Sequence, residues 1–156
     1  MLAYIGLGSN LGDSKQVVNH AIATLNTLND CAVVSQSSLW QSAPVHAEGP
    51  DFINAVIGLS TSLTPLDLLK KMQAIEDQLG RIRPYPNAPR TLDLDLLWMQ
   101  GIQLQSPELT LPHPRLHQRA FVVFPLAQIA PELSIAGLGK MSDWLEQTRD
   151  QVVKQL

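Results

Sequence analysis

The stretch Arg90-Thr-Leu-Asp-Leu-Asp-Leu-Leu-Trp98 alternates leucine with aspartate from Leu92 to Leu96. Successive side chains of a β-strand point to opposite faces, so the alternation predicts a strand with its leucines on one side and Asp93 and Asp95 on the other. We place this strand at about residues 91–99. Its leucine face needs a hydrophobic core, and the segments before and after it supply the partners.

Two helices, each with an N-cap residue and its partner three positions later, precede this strand. The pairs are Asp13 with Gln16 and Thr64 with Asp67, and Pro65 suits the first position of the second helix. We expect the first helix to end near residue 29 and the second at residue 80, a glycine. The second helix carries a series of residues that runs through to Leu79: Leu66, Leu69, Met72, Gln73, Ile75 and Glu76.

Runs of apolar and β-branched residues predict further strands at about residues 3–7, 32–41 and 52–60. Gln100-Gly101 is typical of a hairpin turn that leads into residues 102–105. We expect residues 116–129 to be helical despite Pro125, and a last helix over residues 141–153 with Ser142 or Asp143 as its cap.

The order strand, helix, strand, strand, helix, strand predicts an α+β fold. We expect a ferredoxin-like βαββαβ core with additional C-terminal helices, in which helices flank a single, mainly antiparallel sheet. Residues 1–156 are expected to form one domain.

Composition narrows the class of protein. The formal net charge is −3, which argues against a general nucleic-acid binder. No apolar run approaches the length that crosses a bilayer, and the opening residues lack a basic leader, so we expect a cytoplasmic protein that does not bind membranes. The single cysteine, Cys31, excludes a disulfide framework. A monomer is the default expectation.

Five of the six arginines lie in the stretch from residue 81 to residue 119, on both sides of the aspartate pair: Arg81, Arg83, Arg90, Arg115 and Arg119. Planar, multi-donor guanidinium groups suit phosphate, and two carboxylates on one face suit Mg²⁺, which takes its remaining ligands from water and substrate phosphates. The alternatives are a solvated arginine-rich face and an exposed strand face. We favour a site for Mg²⁺ and a polyphosphate such as ATP.

Other polar and aromatic residues carry a weaker signal. His113, between two prolines and near Arg115 and Arg119, favours phosphate contact over a purely structural role. Asn54, inside an apolar strand, needs a partner and either ties a loop or reads the edge of a ligand. Phe52 and Phe121 are expected in the core on the residues alone. The glycines at positions 6, 8 and 12 match neither the P-loop nor the dinucleotide fingerprint.

Several segments together resemble the 6-hydroxymethyl-7,8-dihydropterin pyrophosphokinase family of folate biosynthesis. They are spread over nearly the whole chain: Tyr4-Ile-Gly-Leu-Gly-Ser-Asn-Leu11, Pro50-Asp-Phe-Ile-Asn-Ala55, Gly80-Arg-Ile-Arg83, Pro89-Arg-Thr-Leu-Asp-Leu-Asp95, Pro112-His113 and Arg119-Ala-Phe121. The run through the two aspartates is the most specific of them.

The resemblance implies transfer of the pyrophosphoryl group of ATP to the pterin's hydroxymethyl oxygen, giving AMP. Asp93 and Asp95 would hold two Mg²⁺ ions, and Asp93 would also contact the pterin. The resemblance assigns catalytic roles to Arg81, Arg83, Arg90, Asp93 and Asp95. It assigns ATP binding to Leu69, Gln73, Glu76, Arg81, Arg90, Leu96, Thr110, His113 and Arg119. It assigns pterin binding to Ser42, Ala43, Pro44, Val45, Phe52, Asn54, Asp93 and Phe121.

The chain departs from the family pattern in the loop between Arg83 and Arg90, which is one residue shorter and has no tryptophan. Pro84 and Tyr85 stand there instead, and Tyr85 is a candidate aromatic cap. No residue stands out as a general base, and His46 has no assigned role. Two other functions remain open on the sequence: a non-catalytic nucleotide-binding module on the same scaffold, and a phosphohydrolase with water as nucleophile.

Overall fold

The structure is a computed structural model that describes residues 1–44, 49–80 and 92–156. Its helices are α1 (Ser14–Thr27), α2 (Pro65–Leu79), α3 (Ala120–Ile129) and α4 (Met141–Thr148), with a short 3₁₀ helix at Leu116–Gln118. Its strands are β1 (Leu2–Ser9), β2 (Cys31–Gln36), β3 (Trp40–Ser42), β4 (Phe52–Thr61), β5 (Asp93–Met99), β6 (Leu104–Gln105), β7 (Thr110–Leu111), β8 (Ser134–Ile135), β9 (Gly139–Lys140) and β10 (Val153–Gln155).

One sheet organises the molecule, with the strand order β10-β3-β4-β1-β5 and with β2 also paired to β4. Each pairing in this sheet that joins described residues is antiparallel. Strand β1 therefore lies between β4 and β5, which is the arrangement of a βαββαβ core. The α+β, ferredoxin-like prediction is confirmed.

Helices cover both faces of the sheet, and each face has its own core. The first core joins α1 and α2 to the inward residues of β1, β4 and β5, with Ile5, Ile57 and Leu94 among its buried side chains. The second core joins α3 and α4 to the opposite face, where Val56 and Leu97 are buried. The sheet thus separates two apolar layers, and helix α3 of the second layer borders the site described below.

Both predicted N-caps are present. Asp13 Oδ1 accepts a hydrogen bond from Gln16 N at 3.2 Å, and Thr64 Oγ1 accepts one from Asp67 N at 3.2 Å. Each bond satisfies one of the N–H groups that a helix leaves unpaired in its first turn. In the first turn of α2 the buried side chain is Leu68, which the helical spacing did not single out, whereas Leu66 is 38% exposed.

The strand predicted over residues 32–41 is two strands, β2 and β3. The register of β2 on β4 shifts between Val33 and Ser35. After β2 ends, hydrogen bonds from Ser37 take the place of regular strand pairing. Ser37 N donates to Val56 O and Ser37 Oγ accepts from Val56 N, each at 2.9 Å. A side-chain bond of this kind competes with regular pairing and ends the strand.

The predicted hairpin has a different partner. The turn at Gln100-Gly101 forms, with Gly101 at φ +71°. Strand β6, however, pairs with β7 and not with β5. The backbone beyond the turn folds away from the sheet, and the outer edge of β5 is left for other groups.

Two predicted helices are shorter than expected. Arg119 adopts an extended conformation (φ −120°, ψ 117°), which separates the 3₁₀ helix from α3, while Pro125 lies inside α3. Helix α4 ends at Thr148, and neither Ser142 nor Asp143 caps it. Val153, the last residue of the predicted helix, instead pairs with β3 as the first residue of strand β10. In the part of the chain that the structure describes, no helix is both long and apolar enough to cross a bilayer.

Candidate active site

A cavity of about 740 Å³ opens on the face of the sheet that carries α3. Strands β1, β4 and β5 form its floor, the segment around Arg119 forms one wall, and the residues that precede β10 form another. Eight of the residues predicted for the site line it: Ser42, Ala43, Phe52, Asn54, Asp93, Asp95, Arg119 and Phe121.

The aspartate pair lies as the alternation predicts. Strand β5 pairs with β1 so that Asp93 is opposite Gly8 and Asp95 is opposite Gly6. Leu94, between them, is buried in the first core on the other face. Asp93 is exposed and Asp95 half-buried, so both carboxylates reach the cavity at the edge of the floor.

The two glycines of β1 are site residues that the sequence analysis missed. Gly6 and Gly8 both line the cavity. A Cβ added at Gly8 would lie 3.3 Å from Asn54 Oδ1 and 3.8 Å from Phe52 Cδ1. Bare backbone at these positions keeps the floor open between the aspartates and the aromatic end. Glycine at alternate positions of a strand was the available signal, because an interior strand otherwise favours side chains that pack.

Asn54 is buried on β4, and its Nδ2 donates to Ser42 Oγ at 2.8 Å. The bond joins β4 to the end of β3, where Ser42 is opposite Phe52. Asn54 therefore ties neighbouring strands together and also lines the cavity. The sequence left two roles open for Asn54, a structural tie and contact with a ligand. Its position in the structure is compatible with both.

A cationic and aromatic wall faces these strands. Arg115, Arg119 and Phe121 line the cavity, and the Arg119 guanidinium lies 5.6 Å from the centre of the Phe121 ring. This distance is within the range of a cation–π contact. Phe121 is half-buried and faces the cavity, so its assignment to the core alone is incomplete.

His113 lies beside the cavity and not among its lining residues. Its backbone N donates to Leu97 O at 2.7 Å, and its Nδ1 accepts from Arg115 N at 3.1 Å. Burial lowers the pKa of His113, and the positive charges of Arg119 and Arg115 lower it further, while Asp95 acts in the opposite direction. An imidazole whose Nδ1 is an acceptor carries its proton on Nε2 when neutral.

The remaining predicted residues that the structure describes do not line the cavity. Glu76 on α2 accepts a hydrogen bond through Oε2 from Leu94 N at 2.9 Å, so it binds the outer edge of β5 between the two aspartates. Leu96 is buried on the face opposite the cavity. The others lie on α2, on β7 and directly after β3: Leu69, Gln73, Thr110 and Pro44.

Four predicted site residues fall outside the described residues: Val45, Arg81, Arg83 and Arg90. Tyr85 and His46 fall outside them as well. Their roles stay predictions.

Near the chain's last residues the structure adds a wall that the sequence analysis did not predict. Gln151, Val152 and Val153 line the cavity, together with Gln118 and Val122. The sequence predicted a helix over residues 141–153. A helix there would not pair with the sheet, so a contribution of this segment to the cavity was not expected.

The side chains that could bind a metal can be compared with the ligands that Mg²⁺ prefers. Among the described residues, no group of three or more histidine, cysteine, aspartate or glutamate side chains comes together. A closed protein cage for a metal is therefore not present in that part of the chain. Two carboxylates at an open cavity fit Mg²⁺, which commonly binds through one or two carboxylates plus substrate phosphates.

Paired carboxylates and arginines around an open cavity suit an enzyme of phosphate transfer, where catalysis is mainly positioning and electrostatics. A family model described as 7,8-dihydro-6-hydroxymethylpterin-pyrophosphokinase matches residues 4–131. The chain belongs to this family, and the resemblance drawn from the sequence is confirmed.

Relatives support the assignment over most of the chain. The 2-amino-4-hydroxy-6-hydroxymethyldihydropteridine pyrophosphokinase of Pseudomonas aeruginosa is 42% identical over 133 residues, which is 85% of this chain and 82% of that protein. The enzyme of the same name from Haemophilus influenzae is 36% identical over 155 residues, which is 99% of this chain and 97% of that protein. This chain is accordingly a pyrophosphokinase.

Solved structures confirm the fold. A crystal structure of the Plasmodium falciparum HPPK-DHPS triple mutant superposes with a TM-score of 0.72 at 13% sequence identity, over 96% of this chain and 45% of that one. A structure of HPPK-DHPS in complex with substrates gives 0.74 at 12% identity, over 99% and 46%. This chain thus spans less than half the length of those proteins.

Proposed function

We propose that the chain transfers the pyrophosphoryl group of ATP to the hydroxymethyl oxygen of 6-hydroxymethyl-7,8-dihydropterin, giving AMP and the pterin diphosphate for folate biosynthesis. The observation that carries the proposal is one cavity in which the aspartate pair lies next to a pocket formed by Phe52, Asn54 and Phe121. This combination suits a flat, hydrogen-bonding substrate whose reactive arm reaches a metal and phosphate site.

The pterin occupies the aromatic end of the cavity. Phe52 and Phe121 contact the faces of the ring, since aromatic rings pack well on flat π-systems. Asn54, held by Ser42, hydrogen-bonds the edge of the ring, and the backbone of Ser42 and Ala43 completes that edge. Pro44 and Val45 belong to the same predicted set.

ATP occupies the region around the outer edge of β5. Two predicted ATP ligands already bind this edge: Glu76 through Leu94 N and His113 through Leu97 O. His113 and Arg119 contact phosphate oxygens, and the neutral imidazole does so by donating from Nε2. The predicted partners for the nucleoside are Leu69, Gln73, Leu96 and Thr110, and the further phosphate ligands are Arg81 and Arg90.

Asp93 and Asp95 would hold two Mg²⁺ ions together with the phosphates of ATP. When bound, the ions neutralise charge on the transferring group and orient the attacking and leaving oxygens. The two carboxylates repel each other when no cation lies between them, which favours binding of metal with ATP.

In the transfer itself, the pterin's hydroxymethyl oxygen forms a bond to the β-phosphorus as the bond from that phosphorus to the α,β-bridging oxygen breaks. AMP leaves with the bridging oxygen, and the hydroxyl proton passes to solvent. Asp95 and Asp93 would position ATP through the Mg²⁺ ions that they hold, while Arg119 stabilises negative charge on the phosphates. Arg83 is proposed to help exclude water by closing its loop.

One assay tests this function against its alternatives. The protein is incubated with MgATP, with and without the hydroxymethyl-dihydropterin, and AMP and inorganic phosphate are measured. We expect AMP only when the pterin is present. Release of phosphate without pterin would instead indicate a hydrolase, and no product in either case would indicate a nucleotide-binding module.

The wider setting is part of the same proposal. Residues 1–156 form one pyrophosphokinase domain that acts as a monomer in the cytoplasm. The proposed partners are the two substrates with Mg²⁺, and we expect binding to neither nucleic acid nor membranes.

A further inference from the structure

The segment that follows α4 is held at both of its ends. Gln151 N donates to Thr148 O at 3.1 Å, at the end of the helix. Strand β10 then pairs with β3, where Val153 is opposite Ser42, and Leu156 N donates to Leu39 O at 2.9 Å. Gln151 is therefore placed at the cavity by two fixed elements, although its own side chain is solvent-exposed.

The side-chain amide of Gln151 makes two hydrogen bonds to the backbone on either side of Arg119. Its Oε1 accepts from Ala120 N at 2.9 Å, and its Nε2 donates to Gln118 O at 2.9 Å. Both ends of one planar amide thus contact the two residues that flank Arg119. Few other side chains can donate and accept in this way at the same time.

Arg119 lies at the break between the 3₁₀ helix and α3. Its own side chain makes no capping hydrogen bond to α3, and its backbone is extended between two helical turns. The first N–H groups of a helix need partners, and Gln151 supplies one from 31 residues further along the chain. The orientation of Arg119 therefore depends on the segment before β10.

We infer that Gln151 is a positioning residue for Arg119: its amide fixes the backbone on both sides of the arginine, so that the guanidinium faces the phosphates of ATP. The inference rests on the proposed role of Arg119 in phosphate contact. Gln151 lies beyond residues 4–131, the part of the chain that the family model matches.

A purely structural role is the alternative, because a hydrogen bond that caps a helix also stabilises the fold. The two roles differ in what a substitution changes. A structural role lowers thermal stability and leaves the kinetics of the folded enzyme unchanged. A positioning role lowers kcat/KM for ATP, and the loss depends on the presence of Arg119.

The test compares Gln151→Met with Gln155→Met. Methionine keeps the length of the side chain and removes both hydrogen bonds. Gln155 is the matched control, since it is a glutamine in β10 whose Nε2 donates to Ser38 Oγ at 3.0 Å, outside the cavity lining. Arg119→Ala and the double variant Arg119→Ala/Gln151→Met complete a cycle, and all are assayed well below their unfolding temperatures.

We expect Gln151→Met to lower kcat/KM for ATP by about 3- to 10-fold, as the loss of one or two neutral hydrogen bonds would do. Gln155→Met should change it less than twofold. Adding Gln151→Met to Arg119→Ala should cause little further loss. Equal effects of Gln151→Met and Gln155→Met, or additive losses in the double variant, would overturn the inference. An inactive wild type, or an Arg119→Ala variant with unchanged ATP kinetics, would contradict the proposed function and the role of Arg119 instead.

Discussion

Asp95 occupies the half-buried position of the aspartate pair, opposite Gly6 and close enough to His113 to affect its pKa. Asp95→Ala removes a proposed metal ligand and relieves repulsion with Asp93. We expect kcat to fall by at least about 100-fold, which is the scale for losing one major electrostatic contact to a transition state. Thermal unfolding followed by circular dichroism should show an unfolding temperature no lower than that of the wild type.

The control for this prediction is Asp143→Ala, an exposed aspartate on α4. It removes the same charge at a distance from the cavity lining and should leave kcat unchanged. Normal turnover in Asp95→Ala would rule out the metal assignment.

His113 gives a prediction about pH. Burial and the neighbouring arginines lower its pKa, so below the ordinary value of about 6.5 the unfolded state binds more protons than the folded state. Stability contributed by the neutral imidazole is therefore complete above about pH 6.5 and is lost as the pH falls through the lowered pKa. His113→Asn keeps an acceptor for Arg115 N and should flatten this part of the profile.

The measurement is the free energy of unfolding in urea, without metal or nucleotide, between about pH 7.5 and 5. A His113→Asn profile parallel to that of the wild type would contradict the prediction.

For individual residues, the sequence predicts a position correctly where a local pattern determines it. The alternation around Leu94 places Asp93 and Asp95 on one face, and the structure agrees. The bonds of Glu76 to Leu94 N and of Gln151 to Ala120 N join residues far apart in the chain. No local pattern encodes such bonds, because they depend on how the elements pack.

Strand β1 carries glycine at two of its cavity-facing positions, and the effect of a methyl group can be compared with that at Gly58 on β4. At Gly8 the added Cβ meets Asn54 Oδ1 at 3.3 Å. At Gly58 it clashes with Ser35 Oγ, outside the cavity. One substitution intrudes on the substrate pocket, and the other intrudes on packing between strands.

Gly8→Ala should therefore weaken binding of the pterin by about tenfold while the fold stays stable, since overpacking typically costs about 1–3 kcal/mol where it occurs. Gly58→Ala should lower the free energy of unfolding by a similar amount and leave pterin affinity unchanged. Pterin affinity is measured by calorimetric titration with a non-cleavable MgATP analogue, and stability by urea unfolding. A reversed pattern would contradict the proposed position of the pterin.

Element boundaries were predictable where a cap or a turn residue marks them. Thr64 begins α2 and Gly101 forms its turn, as the sequence indicates. Residues 149–153 were predicted as the end of a helix because the segment is amphipathic, but α4 ends at Thr148 and Val153 pairs with β3. The break at Ser37 likewise depends on a bond to Val56, on a different strand.

Helices cover both faces of the sheet, and this arrangement affects whether the molecule forms oligomers. The large exposed apolar side chains among the described residues are dispersed along the chain: Met1, Val34, Leu66, Val152 and Leu156. Stable oligomers usually bury contiguous apolar surface. We expect sedimentation at micromolar concentration to give a monomer mass of about 17.1 kDa. A species of twice that mass that persists on dilution would contradict this.

The division of the interior by the sheet has an evolutionary consequence. The core under α1 and α2, with Leu25 and Leu68 fully buried, lies on the face away from the cavity. Neither leucine lines the cavity, so a leucine to alanine substitution at either position lowers stability by about 2–5 kcal/mol and leaves the proposed pterin pocket unchanged. The family can therefore vary such positions for temperature or for protein turnover, while selection on pterin recognition acts mainly on the residues that line the cavity.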